Sequence, residues 1–166
     1  MVEGRAREGH VKTILFVCTA NVCRSPMAEA ICNALAEKKG LPWQAESAGV
    51  AALEWEDMTP NARAALEEVG IYPEGHRARQ VSEAMLEEAE IVLVMSPGHV
   101  RALRRHSGSL SDEVYTLPEY ATGVYSEEGI PDPYGYTMAT FRASVRQILG
   151  YMEKVVERIE REYVLR

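Results

Sequence analysis

Short apolar runs alternate along the chain with longer stretches in which apolar residues recur every three or four positions. Two continuous runs, Thr13 to Cys18 and Ile91 to Met95, are typical of strands that are buried on both faces. Shorter strands are predicted at Trp43 to Ser47 and Val114 to Leu117. The helical spacing and its end signals predict helices over residues 25–39, 59–69, 82–88, 97–106 and about 136–163.

The alternation of strands and helices predicts an α/β fold. Strands that are joined through helices run parallel, and a parallel sheet needs helices on both faces. We therefore expect a three-layer, doubly wound parallel sheet of about four strands. Ligands of such sheets bind beyond the carboxyl ends of the strands, where Cys18 lies.

The length of 166 residues suits one domain, which we predict over residues 13–166. The polar residues 1–12 predict a disordered or frayed N-terminal extension. The longest predicted loop runs from Glu119 to Pro133 and contains two glycines and a further proline. Long loops in compact domains usually have a function.

Charge and cysteine content narrow the possible partners. The 25 acidic and 18 basic residues give a net charge of −7, which argues against a broad nucleic-acid-binding surface. No apolar stretch approaches the roughly 18 residues of a membrane span, and the first apolar run is too short for a signal peptide. Three cysteines, an odd number, argue against a secreted disulfide framework. We therefore expect a cytoplasmic protein with neither nucleic acid nor a membrane as partner.

The segment C-T-A-N-V-C-R-S, from Cys18 to Ser25, carries the strongest chemical signal. It follows a strand and opens a helix, so backbone N–H groups and the positive helix end converge there on a bound anion. A thiol in this position, beside Arg24, is favoured as the nucleophilic thiolate. The guanidinium of Arg24 can donate hydrogen bonds to two phosphoryl oxygens, and the hydroxyl of Ser25 can donate one to the thiolate. Asn21 is suited to a left-handed backbone conformation, which an anion-binding loop needs. Ser25 and Pro26 are predicted to cap the helix.

Other interpretations of these residues are weaker. A cysteine at a strand end is more often a core residue, but a loop, an arginine and a proline-led helix after it favour catalysis. A nucleoside triphosphatase would need G-x-x-x-x-G-K-[ST], which this loop lacks. Zinc binding by Cys18, Cys23 and Cys32 would need a fourth ligand.

The segment ILFVCTANVCRSPMAE, from Ile14 to Glu29, closely resembles the phosphate-binding loop of the low-molecular-weight protein tyrosine phosphatases. A second family mark, Asp132-Pro133-Tyr134, lies more than a hundred residues later. The segments at residues 47–49, 76–80 and 91–95 also fit. The resemblance covers about residues 13–159.

The resemblance implies a cysteine-dependent protein phosphatase that forms a cysteinyl-phosphate and needs neither a metal nor an organic cofactor. It implies catalytic roles for Cys18, Arg24 and Asp132, with Asp132 as general acid and then base. Its partners would be phosphorylated proteins or peptides, with phosphate or other oxyanions as product or inhibitor. The implied substrate-binding residues are Thr19, Ala20, Asn21, Val22, Cys23, Ser25 and Tyr134. Ser47 and His76 would support the loop, and Leu53 or Trp55 would form a wall opposite Tyr134.

The substrate residue stays open between phosphotyrosine, our main hypothesis, and phosphoarginine. The segment from Leu117 to Gly123 and the single aromatic residue after Asp132-Pro133 resemble the bacterial protein arginine phosphatases. That group has threonine before the second loop cysteine and tyrosine-specific members usually have isoleucine, whereas this chain has Val22. Valine has the shape of threonine without its hydroxyl.

Two further alternatives fit less well. A thioredoxin-coupled arsenate reductase would need later cysteines, and none follows Cys32. A non-catalytic phosphopeptide-binding module would have lost Cys18 or Asp132.

Cys23 has two interpretations. It either forms a reversible disulfide with Cys18 or packs under the loop. Cys32, in the following helix, is predicted to lie in the core.

Overall fold

The computed structural model describes residues 11–108 and 110–164. These residues form four strands, six α-helices and a terminal π-helical turn, Glu160–Val164. The elements in chain order are β1 (Lys12–Cys18), α1 (Arg24–Lys39), β2 (Trp43–Gly49), α2 (Pro60–Glu68), α3 (Glu83–Glu88), β3 (Ile91–Val94), α4 (Pro97–His106), β4 (Val114–Thr116), α5 (Leu117–Thr122) and α6 (Met138–Ile159). Residues 1–10 of the predicted extension lie outside the described residues, and Lys12 already belongs to β1.

The four strands form one parallel sheet in the order β2-β1-β3-β4. Cys18, the last residue of β1, pairs with Gly49 at the end of β2, and Val17 pairs with Val94 at the end of β3. The chain turns from one side of β1 to the other between β2 and β3, so the carboxyl ends of β1 and β3 form a switch point. The predicted doubly wound α/β fold is confirmed.

Helices cover both faces of the sheet because neighbouring strand residues point in opposite directions. Ile14 and Phe16 of β1 pack with residues of α1, α2, α5 and α6 in the larger core cluster. Leu15 and Val17 pack with Leu86 of α3 and Leu103 of α4 on the other face. This arrangement gives the three predicted layers.

Two local predictions were wrong. Ser25 does not cap α1: the helix begins at Arg24, and Cys23 occupies the cap position without a side-chain hydrogen bond. The Ser25 hydroxyl lies instead next to the Cys18 thiol, so it is unavailable to the helix end. The predicted loop from Glu119 to Pro133 begins only at Gly123, because α5 occupies its first part.

The limits of α5 follow from ordinary capping chemistry. Thr116 accepts a hydrogen bond from the backbone N–H of Glu119, and Pro118 lies in the first turn. Gly123, with φ of 78°, ends the helix in the left-handed region. Within residues 11–108 and 110–164 no helix is long and apolar enough to cross a membrane.

Candidate active site

The loop between β1 and α1 lies at the carboxyl edge of the sheet, as predicted. Asn21 has φ of +61°, the left-handed conformation that turns the loop back toward the start of α1. The segment after β2 holds the other side of the loop, because Val50 and Ala51 donate backbone hydrogen bonds to the carbonyls of Cys18 and Thr19. Gly49 permits this approach, since a Cβ there would collide with the Thr19 carbonyl oxygen.

The Cys18 thiol is buried at the base of the loop. Its Sγ lies 2.9 Å from Oγ of Ser25, and the Asn21 amide donates to the same Oγ at 2.8 Å. Because Asn21 supplies a proton to Ser25, the Ser25 hydroxyl can donate its own proton either toward the sulfur or to the Ala48 carbonyl oxygen, which lies 3.4 Å away. The Cys18 sulfur therefore has a hydroxyl partner at the base of the loop.

A polar network beneath the loop includes both predicted supporting residues. The Asn21 amide also donates to Ser47 Oγ at 3.0 Å, and His76 Nε2 lies 2.8 Å from the Asn21 carbonyl oxygen. Two members were not predicted: Glu29 Oε1 accepts from Ser47 at 2.8 Å, and the backbone N–H of Arg79 donates to Asn21 Oδ1 at 3.0 Å. Burial raises the pKa of Glu29, while the bond from Ser47 acts in the opposite direction.

Arg24 and Asp132 face each other across the top of the loop. Arg24 is 7% exposed, and its Nη1 donates to the Ile130 carbonyl oxygen at 3.0 Å. Its Nη2 lies 3.6 Å from Oδ2 of Asp132, whose side chain is 53% exposed. The guanidinium is therefore held at the loop, and the carboxyl group projects from the rim of the cleft.

The segment carrying Asp132, residues 129–134, is attached to the backbone after β3 and has an internal hydrogen bond; we call it the acid loop. The backbone N–H of Ile130 donates to the Met95 carbonyl oxygen at 2.7 Å, just beyond β3. Asp132 Oδ1 accepts from the backbone N–H of Tyr134 at 3.1 Å. This bond orients the carboxyl group, and Oδ2 faces Arg24.

These elements enclose a cleft of about 280 Å³. Tyr134 and Leu53 line it, whereas Trp55 is 75% exposed and is not among the lining residues. Sequence reasoning missed Ala51 and Glu56. The lining residues are Cys18, Thr19, Ala20, Asn21, Val22, Cys23, Arg24, Ala51, Leu53, Glu56, Asp132 and Tyr134. Of the predicted site residues, Ser25, Ser47 and His76 lie below the cleft.

The cysteines have different surroundings. All three are free and buried. Cys23 Sγ lies 3.3 Å from Thr59 Oγ1, and burial raises the pKa of Cys23 to about 11. Cys32 packs in the core, as predicted, and burial raises its pKa to about 12. The Cys18–Cys23 disulfide remains a prediction.

The loop between β1 and α1, residues 18–24, is called the phosphate loop below, after the segment that it resembles. His99, near the start of α4, is a further buried residue in contact with this loop, and sequence reasoning missed it. Its Nε2 lies 2.9 Å from Oγ1 of Thr19. The available signal was its position five residues after β3, at the sheet edge that it shares with Cys18. In the part of the chain that the structure describes, no cluster of His, Cys, Asp or Glu side chains is suited to a metal ion.

Known proteins are similar to this chain in sequence and architecture. Residues 13–165 match the low molecular weight phosphotyrosine protein phosphatase family. A protein-arginine-phosphatase of Bacillus subtilis is 34% identical over 149 residues, which are 90% of this chain and 97% of that protein. A low molecular weight protein-tyrosine-phosphatase of Streptomyces coelicolor is 39% identical over 127 residues, 73% of this chain and 77% of that protein.

A solved structure supports the same relationship. The YwlE arginine phosphatase, as a cysteine-to-serine mutant with a phosphorylated active-site serine, superposes with a TM-score of 0.87. It is 32% identical, and the match covers 93% of this chain and 99% of the other. Sequence, fold and the thiol-arginine-carboxyl cleft therefore agree that the chain belongs to the low molecular weight phosphotyrosine protein phosphatase family, as a cysteine-based phosphatase.

Proposed function

We propose that this enzyme hydrolyses phosphotyrosine in proteins or peptides, with Cys18 as nucleophile, Arg24 as phosphate-binding residue and Asp132 as general acid and base. One observation carries the proposal: the buried Cys18 thiol has a hydroxyl partner 2.9 Å away, in a cleft that also contains the paired Arg24 and Asp132. Nucleophile, cation and acid therefore surround one space.

In the first half-reaction, the Cys18 thiolate attacks phosphorus in line with the bond to the tyrosine oxygen. An S–P bond forms and the P–O bond breaks, while the carboxylic acid of Asp132 protonates the departing phenolate. Arg24 and the loop N–H groups hold the equatorial oxygens, where negative charge develops.

In the second half-reaction, water attacks the cysteinyl-phosphate and gives its proton to the Asp132 carboxylate. The S–P bond breaks, inorganic phosphate leaves, and Cys18 returns as a thiolate. The Ser25 hydroxyl stabilises the sulfur as leaving group, because it already lies within hydrogen-bond distance.

The cleft walls support phosphotyrosine. Leu53 and Tyr134 line the space above Cys18, and apolar and aromatic side chains pack well against a phenyl ring. Phosphoarginine is the second candidate. It is favoured by the similarity to the Bacillus subtilis protein-arginine-phosphatase and by Val22, which has the shape of threonine and lines the same cleft.

The nucleophile is tested with Cys18→Ser, and Cys32→Ala is the matched control, because Cys32 is buried outside the cleft. We expect the Cys18 variant to lose phosphotyrosine-peptide turnover by at least about a thousandfold and the control to keep it. Turnover by Cys18→Ser at the rate of the control would overturn the proposal.

The substrate residue is tested with two peptides of identical sequence, one with phosphotyrosine and one with phosphoarginine. We expect a higher kcat/KM for phosphotyrosine in the wild type and in Val22→Ile. Val22→Thr is expected to shift the ratio toward phosphoarginine, because it adds a hydroxyl at nearly constant volume. A wild-type preference for phosphoarginine would replace our main hypothesis by the alternative.

We further propose that residues 13–166 act as one catalytic domain and that the reaction takes place in the cytoplasm. The three free cysteines support a reducing compartment. Phosphate and other oxyanions are expected to inhibit by occupying the loop.

A further inference from the structure

His99 connects the phosphate loop to the end of β3. It is 6% exposed, and both ring nitrogens have hydroxyl partners: Nε2 lies 2.9 Å from Thr19 Oγ1, and Nδ1 lies 3.1 Å from Ser96 Oγ. Ser96 occupies the cap position of α4 without a side-chain bond to the helix end. Its hydroxyl contacts the imidazole instead.

The acid loop is attached at the same place. Ile130 donates a backbone hydrogen bond to the Met95 carbonyl oxygen, and a Cβ on Gly129 would approach Ser96 Cβ to 2.8 Å. The imidazole therefore connects the residue after the nucleophile to the backbone that holds Asp132.

Thr19 is held from two directions. Its carbonyl oxygen accepts a hydrogen bond from Ala51, and its hydroxyl contacts His99 on the other side. A neutral imidazole has one donor and one acceptor nitrogen, so one hydroxyl donates to the ring and the other accepts from it. Each hydroxyl oxygen is thereby held against one ring nitrogen.

We propose that His99 is a positioning residue of the phosphatase: acting through Thr19, it holds the first peptide units of the phosphate loop in the orientation that binds a phosphoryl group. This inference rests on the proposed role of the loop in phosphate binding. His99 lies behind the loop and does not itself contact the reacting atoms.

The charge state of the ring fits a hydrogen-bond bridge. Burial, and to a smaller extent the Arg24 guanidinium, lower the pKa of His99 to about 4, against the opposing effect of Asp132. The ring is therefore neutral at pH 7 and keeps one donor and one acceptor.

Three substitutions of His99 distinguish the contact of Nε2 with Thr19 from the contact of Nδ1 with Ser96. The side-chain amide of Gln reaches about as far as Nε2 of histidine and that of Asn about as far as Nδ1, whereas Leu has neither group. We expect His99→Leu and His99→Asn to lower kcat/KM about three- to tenfold, the effect of one neutral hydrogen bond. His99→Gln is expected to recover to within about twofold of the wild type.

The affinity for inorganic phosphate measures the effect of His99 on the phosphate loop in the absence of catalysis. On a Cys18→Ser background, we expect His99→Leu and His99→Asn to weaken the Kd for phosphate by the same factors, and His99→Gln to restore it. If the wild type hydrolyses no phosphorylated peptide, the proposed function fails, while this binding series still decides the role of His99.

Thr19→Val is the matched partner variant. It removes the hydroxyl at nearly constant shape, so its kcat/KM and its affinity for phosphate should fall by the same factors as those of His99→Leu. The double variant should show no larger decrease than either single variant. Additive losses, a Gln variant as poor as Leu, or an Asn variant as good as the wild type would each overturn the proposal. Urea unfolding of every variant identifies losses that come from unfolding alone.

Discussion

Asn21 is the residue whose side chain connects most of the site. It is fully buried, has φ of +61°, and its amide donates to Ser25 and Ser47 while accepting from the Arg79 backbone. We expect Asn21→Ala to lower the free energy of unfolding by about 3 kcal/mol, from lost buried hydrogen bonds and a left-handed alanine. Turnover should fall with it, because Ser25 loses its donor.

Asn33→Ala is the matched control for Asn21→Ala. The side-chain amide of Asn33 also makes two hydrogen bonds to backbone, both with Ala45. Asn33 lies in α1, away from the cleft. Urea titration should show a smaller loss, about 1 kcal/mol, with unchanged kcat. A variant at Asn21 with wild-type stability and turnover would contradict the role given to the network.

Asp132→Asn tests the acid role through the leaving group. Asparagine keeps the shape but has no proton of suitable acidity, so phosphotyrosine, whose phenol has a pKa near 10, should lose about 10²–10⁴ in rate. A nitrophenyl ester, with a far better leaving group, should lose much less. Inorganic phosphate should still bind, because Arg24 remains.

The control for Asp132→Asn is Asp112→Asn, because Asp112 is an exposed residue in the loop before β4. It should leave both substrates unaffected. An equal loss for good and poor leaving groups would remove Asp132 from the acid role.

At the residue scale, the sequence predicted three catalytic side chains that the structure places in one cleft. Cys18 and Arg24 were predicted from the pattern of the loop that contains them, whereas Asp132 was predicted from the resemblance to the phosphatase family. Glu29 and His99 were missed, because their partners, Ser47 and Thr19, lie 18 and 80 residues away in the chain. The periodic pattern of apolar residues contains no information about such distant pairs.

At the scale of elements, α5 shows why the longest loop was mispredicted. The helix has six residues, too few for an apolar repeat to become visible. Its signals are local: Thr116 as cap, Pro118 in the first turn and Gly123 at the end. Read together, these residues predict a helical turn, but each alone is typical of a loop.

Gly129→Ala tests the attachment of the acid loop to β3. A Cβ there would collide with the Met95 carbonyl oxygen and with Ser96, which are backbone and near-backbone atoms that cannot move aside cheaply. The loop carrying Asp132 must shift, so we expect kcat for phosphotyrosine peptides to fall about tenfold or more. Phosphate binding should change less, because the loop after β1 is untouched.

Gly150→Ala is the control for Gly129→Ala. Gly150 is an exposed residue of α6, and a Cβ there meets nothing within 4 Å. It should raise the free energy of unfolding by about 0.5–1 kcal/mol, because alanine favours a helix. Its kcat should equal that of the wild type. If Gly129→Ala behaved in the same way, the acid loop would not depend on this contact.

At the scale of the whole molecule, the sequence predicted the three layers but not which strands lie next to one another. Alternating apolar runs require a parallel sheet, yet they do not set the order β2-β1-β3-β4. That order places the end of β3 beside Cys18, so α4 and the acid loop meet the phosphate loop. The pairing of Val17 with Val94 is a long-range consequence of the fold, invisible in local patterns.

Global stability should depend on pH through His99. Burial and Arg24 lower its native pKa to about 4 from the ordinary 6.5, with Asp132 opposing. Between these values the unfolded chain binds a proton that the native state does not, so stability falls as pH drops from 6.5 toward 4. His99→Gln has no such proton. From pH 7 to pH 4, the wild type should therefore lose about 3 kcal/mol more than this variant, measured by urea unfolding at each pH. Parallel pH curves for the two proteins would mean that His99 titrates alike in both states and that its burial does not keep the ring neutral.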